Sequence, residues 1–375
     1  MAVAGRPLSA IVLAAGEGTR MHSTRPKPLH LLCGRAMVLY VLDALADCPI
    51  DRAVVVVGHG AERVSKKLAD EPIDHVLDFV EQAVQRGTGD AVSVALTAFP
   101  DDTDDDADDV LVLPGDTPLL RPATIAALVA EHRRTGAACT VLTAHLPDPT
   151  GYGRVVRGRD DKVVRIVEHA DATADELAID EINTSIYCFR RSVLAPALRR
   201  IDPDNAQGEQ YLTDVVAVLH DAGYPVHAVV APDPDETHGI NDRRQLATAE
   251  AELRRRTNES WLGQGVTMID PARTYLDATV RLAPDVTLFP GTILQGHTVV
   301  GERAEIGPDT RLTDCVVGRD AVVAASTGVD AEIGDGARVG PYAVLTAGSA
   351  IPDGAVTGPF YAARSPEDGA AGTPG

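Results

Sequence analysis

The stretch AIVLAAGEGTRM (10–21) ends an apolar run in small residues, then sets Gly16 and Gly18 ahead of Arg20, with Lys27 soon after. Small residues let backbone N–H groups approach an anion closely. Arg20 offers a planar fork for phosphate and Lys27 a point charge. The chemistry on offer is phosphate binding; the other reading is a plain strand-to-helix turn with two surface cations. Neither standard phosphate loop is present: Met21 stands where a dinucleotide fingerprint needs its third glycine, and no G-K-[ST] follows. Farther on, Asp116 follows the apolar run VLVLPG, which puts it at a strand's carboxyl end. Taken alone, Asp116 in G-D-T-P reads as a turn residue. Asn241, ahead of an alanine- and leucine-rich stretch, reads alone as a helix N-cap. Glu168 closes KVVRIVE (162–168), and Asn183 sits inside the otherwise apolar EINTSIYCF (181–189). A buried Asn needs partners, either ligand hydroxyls or neighbouring backbone. His169 should point away from Glu168 by strand alternation, and His220 belongs to a helix; both are expected to be bystanders.

The elements that must position these residues alternate along residues 9–250. Strands are expected at AIVLAA (10–15), AVVVVG (53–58), HVLDFV (75–80), DVLVLPG (109–115), ACTVLTAHL (138–146), KVVRIVE (162–168), EINTSIYCF (181–189) and VHAVVA (226–231). Helical patterns include 36–46, 88–99, 122–136, 211–223 and 242–262. Such alternation implies a mostly parallel sheet covered by helices, with ligands beyond the carboxyl ends of its strands. After about residue 264 an aliphatic residue recurs roughly every six positions, a period that excludes an amphipathic helix and suits a parallel β-helix of about five triangular coils. The domains expected are 1–241, a linker helix over 242–263 on which Trp261 packs, the repeat over 264–360, and a disordered Pro/Gly/Ala-rich tail over 361–375.

Composition narrows the partners. The net charge of −21 argues against non-specific nucleic-acid or anionic-membrane binding, which needs a basic face. The run DDTDDDADD (101–109) reads as a solvated, repelling loop. Five dispersed cysteines form no zinc or disulfide pattern and read as buried small hydrophobes in a reducing compartment. AIVLAA is too short for a signal core or a membrane span, so a soluble cytoplasmic protein is expected.

LAAGEGTRM followed by RPKPLH (25–30) resembles the start of the sugar-1-phosphate nucleotidyltransferases, and within them most resembles the bifunctional N-acetylglucosamine-1-phosphate uridyltransferase/glucosamine-1-phosphate acetyltransferase family. The resemblance continues in order through EQAVQRGTGDA (81–91), VLPGDTPLL (112–120), GYGRVVR (151–157), IVEHADAT (166–173), EINTSIY (181–187), EQYLTD (209–214) and GINDRRQLA (239–247), and then the hexapeptide repeat. It implies an α/β fold: a Rossmann-like nucleotidyltransferase domain with a mostly parallel mixed sheet, then a short left-handed parallel β-helix. It implies attack of a sugar 1-phosphate oxygen on the α-phosphorus of UTP. The nucleophile is already anionic, so positioning and charge neutralisation should carry catalysis. By resemblance, Arg20 and Lys27 hold the phosphates, and Asp116 and Asn241 bind Mg²⁺, an ordinary two-ligand arrangement completed by phosphates and water. Nucleotide contacts are implied for Leu13, Ala14, Ala15, Gly16, Gly18 and Lys27. Gln82, Gly87, Thr88 and Gly115 complete them, Gln82 having the donor and acceptor to match a uracil edge; alone, Gln82 and Gln85 read as polar loop residues. Gly153, Glu168, Asn183 and Asn241 match the sugar-binding positions. Two positions depart from the family: Asp90 replaces its usual histidine and Ser185 its usual glycine.

The resemblance also implies association through the β-helix, as a homo-oligomer and specifically a trimer. Its acetyltransferase half is not matched. Thr346 stands where the family has an arginine, and PFYAARSP (359–366) lacks the family's lysine pair, so no acetyl transfer is expected. Two other functions compete: a related nucleotidyltransferase with another base or sugar, and a catalytically inactive scaffold, against which the retained Arg20, Lys27, Asp116 and Asn241 argue. A Rossmann dehydrogenase is rejected by the missing third glycine.

Overall fold

The computed structural model describes residues 7–50, 52–73, 76–99, 108–159 and 161–363. The tail beyond residue 363 and the acidic run over 101–107 lie outside the described residues. The chain divides into two compact units, one built from residues up to His30 and from Ala36 to Leu246, the other from Leu31–Arg35 and from Ala247 onward.

The strands of the first part are β1 (Leu8–Ala14), β2 (Leu31–Leu32), β3 (Arg35–Ala36), β4 (Arg52–Val57), β5 (Leu77–Glu81), β6 (Asp109–Pro114), β7 (Cys139–His145), β8 (Arg154–Arg157), β9 (Val163–Val167), β10 (Glu181–Arg190) and β11 (Val226–Val230). The helices are α1 (Met37–Asp43), α2 (Ala61–Ala69), α3 (Thr88–Leu96), α4 (Pro122–Thr135), α5 (Ala174–Leu177), α6 (Arg191–Leu198), α7 (Asp214–Asp221) and α8 (Arg243–Gly263), the last crossing the division between units. Apart from the β2–β3 hairpin these strands form one sheet, in the order β11-β7-β10-β6-β1-β4-β5, with β8 and β9 attached beside β10. β1 pairs in parallel with β4 and β6, β4 with β5, and β11 with β7. β10 runs against both neighbours, so the sheet is mixed. β1, β4 and β6 are aliphatic almost throughout and buried on both faces, as central parallel strands must be. Leu8, Val12, Leu39 and Val55 pack one face, and Ile11, Val54, Val92 and Val112 the other.

In the second unit, three five-stranded sheets climb a left-handed parallel β-helix. One ladder runs Thr287, Glu305, Val322, Arg338, and the inward neighbours Leu288, Ile306, Val323 and Val339 stack inside. Each coil alone has too little apolar surface to fold; stacking supplies the core. Trp261 of α8 packs on that core. All five cysteines are free and buried, and burial raises the thiol of Cys48 above its ordinary range. No helix among the described residues is long and apolar enough to cross a membrane.

Several elements differ from the sequence expectation. α2, α5 and α6 and the short strands β2 and β3 were not anticipated, and β8 forms where only a GYGRVVR motif was read. α7 begins at Asp214, so Tyr211–Thr213 lead into the helix.

Candidate functional site

The carboxyl ends of β1 and β6 lie side by side, as the parallel register requires. The pairing continues past the strands, where the Gly115 N–H donates to the Leu13 carbonyl at 2.8 Å. Asp116 follows, and its carbonyl accepts from Ile240 N–H at 2.9 Å, drawing in the segment 239–241. A side chain on Gly239 would stand 3.5 Å from Asp116 Oδ1 and 3.9 Å from Asn241 Nδ2, so the two groups share one corner.

Asn241 is not the helix cap that it resembles when read alone. Asp242 Oδ1 takes that role, accepting from Arg244 N–H at 2.8 Å and Gln245 N–H at 2.9 Å. The Asn241 side chain is thereby left for the corner. There Lys27 Nζ donates to Asn241 Oδ1 at 2.9 Å and ion-pairs with the Asp116 carboxylate. Lys27 is aimed by the turn Lys27–Leu29 and by Gly18, which has φ 64° and leaves room for the lysine stem; a Cβ on Gly18 would lie 2.8 Å from Lys27 Cβ.

These groups open onto a cleft of about 470 Å³. Leu13, Ala14, Ala15, Gly16 and Gly115 form its floor, and the exposed Arg20 stands at its edge. Gln82, Gln85, Gly87 and Thr88 also line it. Gln82 directly follows β5 and extends its ladder, donating its backbone N–H to the Val57 carbonyl at 2.8 Å. Gly87 adopts φ 105°, and a Cβ there would fall 2.5 Å from the Gln210 carbonyl, so no other residue fits the turn into α3. Gln85 Nε2 donates to the Ala15 carbonyl at 2.6 Å, and Thr88 Oγ1 accepts from Leu212 N–H at 3.0 Å.

Gly153, Glu168 and Asn183, which also line the cleft, meet one another: a side chain on Gly153 would touch both of the others. Thr213 Oγ1 donates to Glu168 Oε1 at 3.0 Å. Burial pushes the Glu168 carboxyl above its ordinary range, and the charges of Asp214, Asp171 and Glu209 add to the shift against the Thr213 hydrogen bond. Asn183 Oδ1 accepts from Ser185 N–H at 3.1 Å, the backbone partner foreseen as one alternative, while Asn183 still lines the cleft. Ser185 holds φ 61°, at a bulge between Asn183 and Ile186.

Of the residues expected to bind or catalyse, Gly18 alone does not line the cleft; it shapes Lys27 instead. Asp90, noted as a departure from the family, and His169 and His220 do not line it either. Sequence reasoning passed over Tyr152 and Gly239, although GYGRVVR and GINDR contain them. Tyr152 packs edge-on to His238 with ring centroids 6.5 Å apart, and burial with the nearby Asp116 charge raises its phenol. Among the described residues no group of three or more His, Cys, Asp and Glu could hold a metal. Two oxygens, from Asp116 and Asn241, converge on the lysine ammonium. That pair suits a hard cation whose other ligands come from phosphate and water.

The chain matches the MobA-like NTP transferase domain over residues 10–218. It is 47% identical to the bifunctional protein GlmU of Thermobifida fusca, over 88% of this chain and 68% of that one. It is 44% identical to bifunctional protein GlmU of Shouchella clausii, over 94% and 75%, and 43% identical to that of Brevibacillus brevis, over 96% and 77%. The chain belongs to the GlmU family. Like other GlmU-family chains it is a sugar-1-phosphate nucleotidyltransferase. The GlmU matches run past residue 218 of the nucleotidyltransferase domain into the β-helix, since they cover up to 96% of the chain.

Proposed function

We propose that the chain transfers a uridylyl group from UTP to N-acetylglucosamine 1-phosphate, giving UDP-N-acetylglucosamine and pyrophosphate, with Mg²⁺ held by Asp116 and Asn241. The single observation that carries this reading is the corner where Lys27, Asp116 and Asn241 meet, in one cleft that is also lined by Gln82, Gln85, Gly87 and Thr88 and by Gly153, Glu168 and Asn183. A nucleotide laid along that cleft has its base beside Gln82, Gly87 and Thr88, its phosphates near Lys27 and Arg20, and the sugar near Glu168 and Asn183. The sugar phosphate oxygen is ionised at neutral pH, so the chain needs no base to activate it. Lys27 and Arg20 hold the triphosphate and offset the charge that builds as pyrophosphate leaves, an effect strongest in the transition state. Asp116 and Asn241 would hold the Mg²⁺, which would supply positive charge to offset that of the phosphates when bound. Glu168 and Asn183 orient the hexosamine, fixing the acceptor oxygen in line.

The reading extends to a cytoplasmic enzyme that associates through its β-helix, as a trimer. No acetyl transfer is expected, because Thr346 stands where the family has an arginine; its hydroxyl is engaged with the Ala363 carbonyl at 3.2 Å. Pyrophosphate release over a matrix of nucleoside triphosphates and sugar 1-phosphates is the test. The pair UTP and N-acetylglucosamine 1-phosphate should give the highest kcat/KM, and preference for any other pair overturns the assignment. Acetyl-CoA turnover on glucosamine 1-phosphate above background would overturn the second part.

A further inference from the structure

We infer that Asp90 is a positioning residue that fixes which end of the Gln82 amide meets the base, and so selects uracil over cytosine. The inference rests on the UTP reading above. Gln82 is 5% exposed, directly follows β5 and lines the cleft. Its Nε2 donates to the Gly87 carbonyl at 3.1 Å and to Asp90 Oδ2 at 2.8 Å. An amide nitrogen has two N–H groups, and both are used. Which end of a glutamine is nitrogen is settled here by its neighbours. A backbone carbonyl and an ionised carboxylate can only accept, so the donor end must face them.

The consequence lies at the other end. Gln82 Oε1 has no partner among the described residues and is not among the buried polar atoms sealed from solvent. It is an acceptor that cannot turn into a donor while Asp90 holds the nitrogen. Uracil carries N3–H at the centre of its pairing edge; cytosine carries a lone pair on N3 in the same place. An acceptor fixed at that point bonds the first and faces the second lone pair to lone pair. Asp90 sits in the first turn of α3, directly after the Gly87 turn, so carboxylate, carbonyl and amide are held by one rigid corner. A histidine at position 90, as the family has, either donates or accepts and leaves the amide less constrained. This chain's aspartate removes that freedom.

The experiment uses the full chain, with kcat/KM measured for UTP, CTP and N3-methyl-UTP at saturating sugar phosphate. Wild type should favour UTP over both others. Asp90→Ala should lower the UTP-over-CTP ratio about tenfold, the size expected when a charge-assisted hydrogen bond that biases one orientation is lost. Asp90→Asn, which can accept from Nε2 or turn and donate to Oε1, should give a ratio between those of wild type and Asp90→Ala. In a Gln82→Ala background, Asp90→Ala should leave the ratio unchanged, since Asp90 acts only through Gln82. A ratio within twofold of wild type in Asp90→Ala, or an effect that persists in the Gln82→Ala background, overturns the inference while leaving the UTP reading intact. Wild type that does not favour UTP overturns the UTP reading itself. Melting temperatures matched across the variants keep a folding defect from imitating either result.

Discussion

Replacing Lys27 by alanine separates the resting contacts it makes from the catalytic role proposed for it. In the resting cleft its ammonium bonds Asn241 Oδ1 and ion-pairs with Asp116, through side chains that are 14% and 23% exposed for the lysine and the aspartate. Hydrogen bonds to charged groups contribute roughly 1.5–3 kcal/mol when buried. Here the cleft is open and water can replace the ammonium, so a loss of about 1–2 kcal/mol is the reasonable magnitude. For a unit of this size that is a fall of about 3–6 °C in melting temperature. Catalysis should suffer far more. A phosphate-clamping cation acts mostly in the transition state, and its removal should lower kcat/KM about a thousandfold, or about 4 kcal/mol. A third readout follows from the same geometry. In wild type a divalent cation must displace the ammonium to reach both oxygens. A divalent cation and an ammonium about 5 Å apart repel by several kcal/mol even at an effective dielectric of about 20. Lysine escapes most of that by swinging away, so Lys27→Ala should bind Mn²⁺ without nucleotide on the order of tenfold more tightly, measured by calorimetry or paramagnetic relaxation. Turnover within threefold of wild type, or weaker Mn²⁺ binding, would refute the reasoning.

Arg20→Ala should reduce kcat/KM by orders of magnitude with an unchanged melting temperature, because the side chain is exposed at the cleft edge; near-normal turnover would return the stretch to a plain turn. Burial raises the folded-state pKa of Glu168, so between its ordinary value and the raised one the folded chain keeps a proton that the unfolded chain has lost. Stability therefore falls as pH rises through that window, and Glu168→Gln should be more stable than wild type above it and show no such gain below it; a melting-temperature difference that does not vary with pH would contradict this. Ser185 holds φ 61°, a conformation that costs a side chain roughly 1–2 kcal/mol, so Ser185→Gly should raise the unfolding free energy by up to about 1 kcal/mol after glycine's extra chain entropy is subtracted, checked by urea titration.

Much of the frame could be read because it is local chemistry. AIVLAA, AVVVVG and DVLVLPG are aliphatic almost throughout and became adjacent central strands. The six-residue repeat gave three sheets because each aliphatic position must face inward on a triangular coil. What escaped was either weakly patterned or non-local. α2 buries only Val64 and Leu68, a stripe too narrow to stand out among its charges, and α6 carries Pro196 within it. β8 has only four residues and stands by pairing with β9 and, through Arg154, with β10. That β10 runs against its neighbours depends on chain paths, which no run of residues encodes. In the cleft, motif order singled out Asp116 and Asn241. It could not show that Asp242 would cap α8 and leave Asn241 to face Lys27. The pairing of Asp90 with Gln82, eight residues away across a turn, was likewise invisible.

The bulge in β10 has an effect on how this enzyme can change. On β7, Thr143 and Leu142 are consecutive, yet their partners on β10 are Asn183 and Ile186. Thr184 and Ser185 are thus carried by β10 outside the ladder, with Thr184 Oγ1 tied to the Leu142 carbonyl at 2.7 Å. Strand pairing on either side is fixed without them. Substitutions at this point alter the cleft wall that Thr184 and Ser185 share with Asn183 and Glu168 and leave the register of the central sheet untouched. The shape of this part of the cleft can therefore change one residue at a time, without the sheet having to re-form around each change.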